Sequence, residues 1–259
     1  MNFGFQLSGK VMNMLIKFIC CDVFTRIACD LVAKSPHTID IDFIPMLTHV
    51  EPETLRVLIQ EKLIETEQSR RVYDAVILGF GLCGNAVIGL SCSIPMVIPR
   101  AHDCCTLFMG SKESFLAEFG NALSTRWMTT GYYERTVSSN TGYRVQDTQD
   151  NYKTSAQYME FLEKYDAETA EYLWETLHPK IESHEAVYIK IDGFEYHDAL
   201  QQYKQRMEDN DIELRVATGN VSLLKALIDA DWDDKRFLRI PAGQKIVGVY
   251  DMDQVMRAE

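Results

Sequence analysis

The sequence is short of positive charge, of long apolar runs and of repetition. Lysine and arginine number 26 against 38 aspartates and glutamates, a formal net charge of −12. No basic cluster interrupts that imbalance, so the electrostatic footprint of a nucleic-acid binder is missing and an anionic membrane surface would repel the chain. The acidity reads as a solubility feature. No stretch approaches the ~20 uninterrupted apolar residues of a membrane span. "MNFGFQLSGKVMNMLIKFICC" imitates a signal peptide, yet Asn13 and Lys17 break its short apolar run and no small-residue cleavage site follows. Residues 1–12 read as a leader, residues 14–20 as a buried first strand, and the location as cytoplasmic. No solenoid-type period and no low-complexity tract occurs. At 46% hydrophobic and 25% charged residues, the chain has the make-up of a globular protein. Its 259 residues suffice for one large domain or two small ones sharing a core.

Cysteine is the residue in good supply. The seven thiols, Cys20, Cys21, Cys29, Cys83, Cys92, Cys104 and Cys105, are an odd number. In a chain of the cytosolic type they point to burial, metal binding or catalysis before disulfides.

Apolar strands alternate with helical periods. "MLIKFICC" reads as a strand, "VFTRIACDLVAKS" as a helix, and "TIDIDFIPM" as a strand of period two. "EPETLRVLIQEKLIETEQSRR" opens on Pro52 among acids, a helix start. "YDAVILGFG" and "IPMVIPRA" are strands, "AVIGLSC" is a short helix at most, and "SKESFLAEFGN" is a helix with Ser111 as its N-cap. Residues 120–152 carry little periodic signal and read as an irregular crossing. "TSAQYMEFLEKYDAETAEYLWETLH" is helical; then "AVYIKID", "YHDALQQYKQRMED", "IELRVATG" and "VSLLKALIDA" resume the alternation up to "RFLRIPAGQKIVGVYD". This predicts a three-layer α/β fold with a mostly parallel sheet flanked by helices, built as Rossmann-like halves. A loose boundary near 150 separates residues 13–150 from 151–259, as two lobes or one continuous sheet.

"ILGFGLCGN" holds Gly79-x-Gly81-x-x-Gly84, the spacing of a dinucleotide fingerprint, after a strand and with Asp103 nineteen residues beyond Gly84. The fingerprint also needs a full-length helix, and only about eleven residues, with Gly89 among them, separate Gly84 from Pro95. The loop is therefore a dinucleotide cradle, a tight turn, or a mount for the thiol of Cys83. The third reading draws on position. Ligands of open parallel sheets bind beyond the carboxyl ends of the strands, and three predicted strands run into cysteine, at Cys20–Cys21, Cys83 and Cys104. Loops at one edge can converge although 62 residues separate Cys21 from Cys83 and 21 separate Cys83 from Cys104.

Gly81 and Gly84 would let backbone approach a bound group, and His102 adds an imidazole. Three thiolates with an open fourth position match zinc, with His102 as fourth ligand or as a base and Asp103 beside it as a second catalytic candidate. An iron–sulfur cluster is the alternative cofactor. Successive strand residues face opposite ways, so Cys20 and Cys21 cannot both face the site; Cys29 and Cys92 read as core. Arg100 and Lys112 are the cations expected to receive an anionic group, and Ser111 could hold one at a helix start.

Over "YDAVILGFGLCGNAVIGL…PMVIPRAHDCCTLFMGSKESF" the chain resembles the prokaryotic domain of unknown function 1638, and the likeness extends to "FLRIPAGQKIVGVYD". The family pattern is matched by Cys21 before Asp22, by Cys83 with Gly84 and Asn85, by His102, Asp103 and Cys104, and by the turn Gly110, Ser111, Lys112 and Glu113. A tryptophan of the middle segment is displaced, with Tyr132 and Tyr133 near its place. The resemblance supplies no activity, but its gene-context companions imply a setting in corrinoid-dependent methyl transfer. The expectation is thus an enzyme or accessory factor of one-carbon metabolism with a three-cysteine metal site, a small-molecule or corrinoid-related ligand and a methyltransferase-system protein partner. A non-catalytic iron–sulfur, corrinoid-related or metallochaperone module is the alternative, and a dinucleotide-dependent oxidoreductase the lesser one. A catalytic site should be a deep pocket with Arg100 or Lys112 pointing in; a chaperone site should be shallow.

Overall fold

The computed structural model describes residues 13–46, 52–120, 125–137, 156–177, 185–196, 198–249 and 254–259. The expected leader at 1–12 and the expected boundary near 150 lie outside these residues. Among the described residues no helix is long and apolar enough to cross a membrane.

A five-stranded sheet forms the centre. Strands β1 (Leu15–Cys21), β2 (Thr38–Ile44), β3 (Ala75–Gly79), β4 (Met96–Pro99) and β8 (Phe237–Ile240) lie in the order β2-β1-β3-β4-β8. The first four are parallel and β8 joins antiparallel to β4. Every residue of β3 and β4 is buried, because helices cover both faces, and this is why those strands read as unbroken apolar runs.

Helices α1 (Thr25–Lys34) and α2 (Pro52–Glu67) follow β1 and β2. The chain steps from β1 to β2 in one direction and from β2 past β1 to β3 in the other. Right-handed crossovers therefore put the two helices on opposite faces: α2 against β1 and β2, and α1 beside α9 (Ser222–Ile228), which packs on β3 and β4.

A second, three-stranded sheet is fully parallel, in the order β5 (Arg126–Met128), β6 (Glu185–Lys190), β7 (Glu213–Thr218). Helix α8 (Ala199–Glu208) connects β6 to β7. Strands β9 (Ile246–Gly248) and β10 (Met256–Ala258) make an antiparallel pair near the end. The fold is thus α/β with a mixed, mostly parallel sheet and a parallel companion, flanked by helices. The chain leaves the first sheet after β4, builds the second, and returns at β8.

The carboxyl edges of the two sheets meet around α3 (Cys104–Met109). Beyond β7, the Asn220 N–H donates to the Phe108 carbonyl at 2.9 Å, and the Asn220 amide nitrogen to that of Met109 at 3.0 Å. Ser222 donates to the Gly110 carbonyl at 2.9 Å. On the other side, the first turn of α5 (Thr130–Val137) lies so close to the first sheet that a Cβ on Gly131 would overlap the Val23 carbonyl.

Two local expectations change. Residues 83–89 form a run of turns and no helix, because Cys83, Gly84, Asn85 and Gly89 all take positive φ, which a right-handed helix does not admit. Part of the segment expected to be irregular is regular: β5 and α5 occupy it. The stretch 154–178, expected to be helical, is so over its described residues as two helices, α6 (Ala156–Lys164) and α7 (Ala167–Leu177). There Asp166 caps the second helix, accepting from the Thr169 N–H at 2.9 Å. Helix α4 (Lys112–Phe119) starts as expected, with the Ser111 hydroxyl accepting from the Ser114 N–H at 3.0 Å.

Candidate functional site

The loops that follow β3 and β4 run side by side past the ends of their strands. The Leu82 N–H donates to the Ala101 carbonyl at 2.8 Å and the Cys83 N–H to that of His102 at 2.9 Å. Gly81 permits this approach: a Cβ there would sit 2.7–2.9 Å from the Asp103 backbone. The other two glycines answer different constraints. A Cβ on Gly79 would strike the Cys20 sulfur at 2.6 Å and the Phe18 ring at 2.8 Å, and Gly84 has φ +63°. Each glycine thus has a steric reason that involves no ligand, and the helix that a dinucleotide would need after Gly84 is replaced by turns. Cys83 itself sits at φ 47° and Asn85 at φ 71°, a strained conformation for a side-chain-bearing residue.

This loop presents a thiol to a cavity of about 20 Å3 shared by Cys21, Cys83 and Cys104. Cys21 ends β1, Cys83 follows β3, and Cys104 opens α3 five residues beyond β4. Three separate segments therefore bring three cysteines to one cavity at the carboxyl edge of the sheet. The expectation that Cys104 ends a strand is corrected: Asp103 turns the chain into a helix, its side chain accepting from the Thr106 N–H at 3.2 Å. Tyr132, Met46, Leu55 and Phe80 complete most of the lining, and none of the described residues around the cavity is cationic. The other cysteines stay away from it. Cys20 is fully buried with its sulfur toward the Gly79 carbonyl, while Cys92 and Cys105 are buried and Cys29 is exposed.

Electrostatically the three thiols are neutral as they stand. Burial pushes the Cys83 thiol up to about 12. Burial, then the neighbouring Cys83, Asp103 and Cys21, pushes Cys104 far above the ordinary thiol range. Cys21 is raised by burial and by Asp22 and Cys83, against a backbone hydrogen bond from Val23 and the charge of Arg135. The Cys104 sulfur lies 2.7 Å from the Tyr132 hydroxyl. Among the described residues no three His, Cys, Asp or Glu side chains stand as a ready-made metal-ligand set.

The remaining predicted residues gather elsewhere. His102 lines a second cavity, of about 10 Å3, with Arg100, Lys112 and Thr106; its Nε2 is buried there with no hydrogen-bond partner in the structure. The imidazole is therefore not beside the thiols, and Tyr132 occupies the place expected for it. The Arg100 guanidinium donates to the carbonyls of Asp234, Gln254 and Met256 at 3.0, 2.6 and 2.7 Å, which ties down the C-terminal segment. Asp103 and Ser111 act as helix caps. Burial raises the Asp103 carboxyl first, against the Thr106 bond and the His102 charge. Asn85 is exposed, and its carbonyl accepts from Arg56 at 3.2 Å.

Sequence reasoning did not find Tyr132 or Met46 as members of the site. The Thr129 hydroxyl accepts from the Tyr132 N–H at 3.2 Å and starts α5, which marks a helix start in the sequence but not the contact with a thiol.

Fold and cavity together define a mostly parallel α/β protein with a buried three-thiol centre at the carboxyl edge of its main sheet. The chain belongs to the family described as "Protein of unknown function (DUF1638)", which matches residues 43–228. The matched span carries Cys83 and Cys104, and Cys21 precedes it. No curated protein and no solved structure gave a match.

Proposed function

We propose that this chain is a metal-binding protein that takes one thiophilic cation, zinc by preference, between Cys21, Cys83 and Cys104, and serves corrinoid-linked methyl transfer as an accessory factor. The supporting observation is the convergence of three cysteines from three segments on one small cavity. Its size favours a single ion: a cavity of ~10–15 Å3 holds one water, so about 20 Å3 suits an ion and not a four-iron cluster or a corrinoid. A corrinoid-related ligand would then belong to a partner protein of the methyltransferase system. Loading requires the sulfurs to turn inward by side-chain rotation and to lose their protons. The bound cation would offset two of the three thiolate charges, and it would hold a sulfur in the anionic form that accepts alkyl groups.

An accessory or metallochaperone role stands ahead of a catalytic one. Arg100 and Lys112, the cations expected in a catalytic pocket, line the other cavity. Elemental analysis of protein purified without oxygen, with its visible spectrum, tests the reading. About one zinc per colourless chain supports it; a brown protein that bleaches in air moves the site to iron and sulfur; protein that takes up neither metal ends it. Stabilisation by a nicotinamide dinucleotide in metal-free protein would restore the oxidoreductase alternative.

A further inference from the structure

The Cys104 sulfur has a partner from the other sheet. Tyr132 stands in the first turn of α5, just past the carboxyl end of β5, and is 6% exposed. Its ring is held edge-on to Trp127 at 4.7 Å between centroids and to Phe108 at 6.2 Å. Its backbone is fixed at both sides, by the Thr129 hydroxyl and by the Thr136 hydroxyl, which donates to the Tyr132 carbonyl at 3.1 Å. This rigid mount aims the phenol oxygen at the Cys104 sulfur, 2.7 Å away.

As thiol and phenol, either group can donate. A thiolate can only accept, so once Cys104 is ionised the proton between the two atoms belongs to Tyr132. Cys104 thus has a side-chain partner that stands on a helix following β5 of the second sheet. Alongside, the Arg135 guanidinium of the same helix donates to the Asp22 carbonyl at 3.1 Å, in the turn that follows Cys21.

We propose that Tyr132 is the positioning residue of the thiol centre: its phenol keeps its proton, donates to the ion-bound sulfur of Cys104, and couples ion binding to the second sheet. This inference rests on the metal-holding reading. In the loading step three S–H bonds break, three sulfur–metal bonds form, and three protons leave to solvent, while the Tyr132 O–H survives.

Cobalt(II) is the probe, titrated into wild-type protein, Tyr132→Phe and Tyr133→Phe, with zinc competition for affinity. Wild type and Tyr133→Phe are expected to bind one cobalt per chain with the same sulfur-to-cobalt charge-transfer band. Tyr132→Phe should also bind one cobalt, ~10–100-fold more weakly, as for loss of other groups that orient a ligand. Its band should move to lower energy, since the sulfur lone pairs lose a donor. A wild type that takes no cobalt overturns the metal-holding reading and this inference with it. Cobalt binding by wild type with an unchanged affinity and band in Tyr132→Phe overturns the role of Tyr132 alone.

A measurement on wild type covers the case in which the variant does not fold. In cadmium-113-loaded protein the Tyr132 hydroxyl proton should be a slowly exchanging resonance coupled to the metal through sulfur. Its absence, or a phenolate bound as a fourth ligand, overturns the proposal.

Discussion

Replacing Gly81 by alanine tests how the thiol loop is built. The new Cβ would lie 2.7, 2.8 and 2.9 Å from the N, Cα and C atoms of Asp103, where carbon contacts prefer ~3.5 Å or more. The obstacle is backbone, so the two loops must part by roughly 0.7 Å to reach that ~3.5 Å. Such a shift stretches the Leu82–Ala101 and Cys83–His102 hydrogen bonds, now 2.8 and 2.9 Å, to the edge of bonding distance. Losing both costs about 1–3 kcal/mol, and forcing a methyl into packed backbone a comparable amount. A net destabilisation of about 2–4 kcal/mol lowers the thermal midpoint by about 5–15 °C in a chain of this size. Gly248→Ala is the control: its Cβ meets Ile88 at an ordinary 3.4 Å, and a change within about 0.5 kcal/mol is expected. The same parting moves Cys83 away from Cys104, so Gly81→Ala should also lose metal capacity that Gly248→Ala keeps. A Gly81→Ala protein melting within about 2 °C of wild type would refute the close approach of the loops.

Cys83→Ala should fold yet retain no metal, whereas Cys92→Ala, which removes a thiol buried away from the cavity, should keep one ion per chain; equal behaviour of the two would remove the basis for choosing these cysteines. In metal-free native protein, alkylation followed by mass spectrometry should modify exposed Cys29 first, and fully buried Cys20 and Cys105 only on unfolding. Burial holds the native Cys83 thiol up to about 12 against an ordinary value of 9.0. Its contribution to stability is therefore complete below about pH 9 and is lost as the pH rises through about 12. The urea midpoint of metal-free protein should fall above pH 9, and less steeply in Cys83→Ala; an equal slope in both would refute this assignment.

The parts of this architecture that could be read in the sequence are those fixed by burial. Strands β3 and β4 announce themselves as apolar runs because both of their faces are covered, and the parallel order of β1, β2 and β3 follows from the helices between them, whereas only turns join β3 to β4. Cys21 and Cys83 were legible for the same reason: a strand end at the carboxyl edge is where such a sheet keeps its site. Cys104 was reached by a wrong local picture, since it opens a helix. That same turn misplaces His102. In a continuing strand, residues two apart share a face, but at Asp103 the chain enters α3, and His102 and Cys104 part to different cavities. Tyr132 was out of reach because nothing local couples it to a thiol. Its contact depends on two sheets meeting around α3, through bonds such as Asn220 to Phe108 that span more than a hundred residues. The glycine spacing was rightly set aside as a dinucleotide fingerprint, for want of the helix after Gly84, but what each glycine does could not be read from the sequence. Three glycines at a familiar spacing serve three unrelated steric needs, and only the surrounding backbone tells them apart.

The central claim is that Cys21, Cys83 and Cys104 close on one ion. X-ray absorption at the zinc edge, on protein loaded with one equivalent of zinc, tests it most directly. Three sulfur neighbours at about 2.3 Å with one lighter atom beside them is the predicted first shell. A shell of oxygen and nitrogen alone, or zinc lost on desalting, would contradict the account.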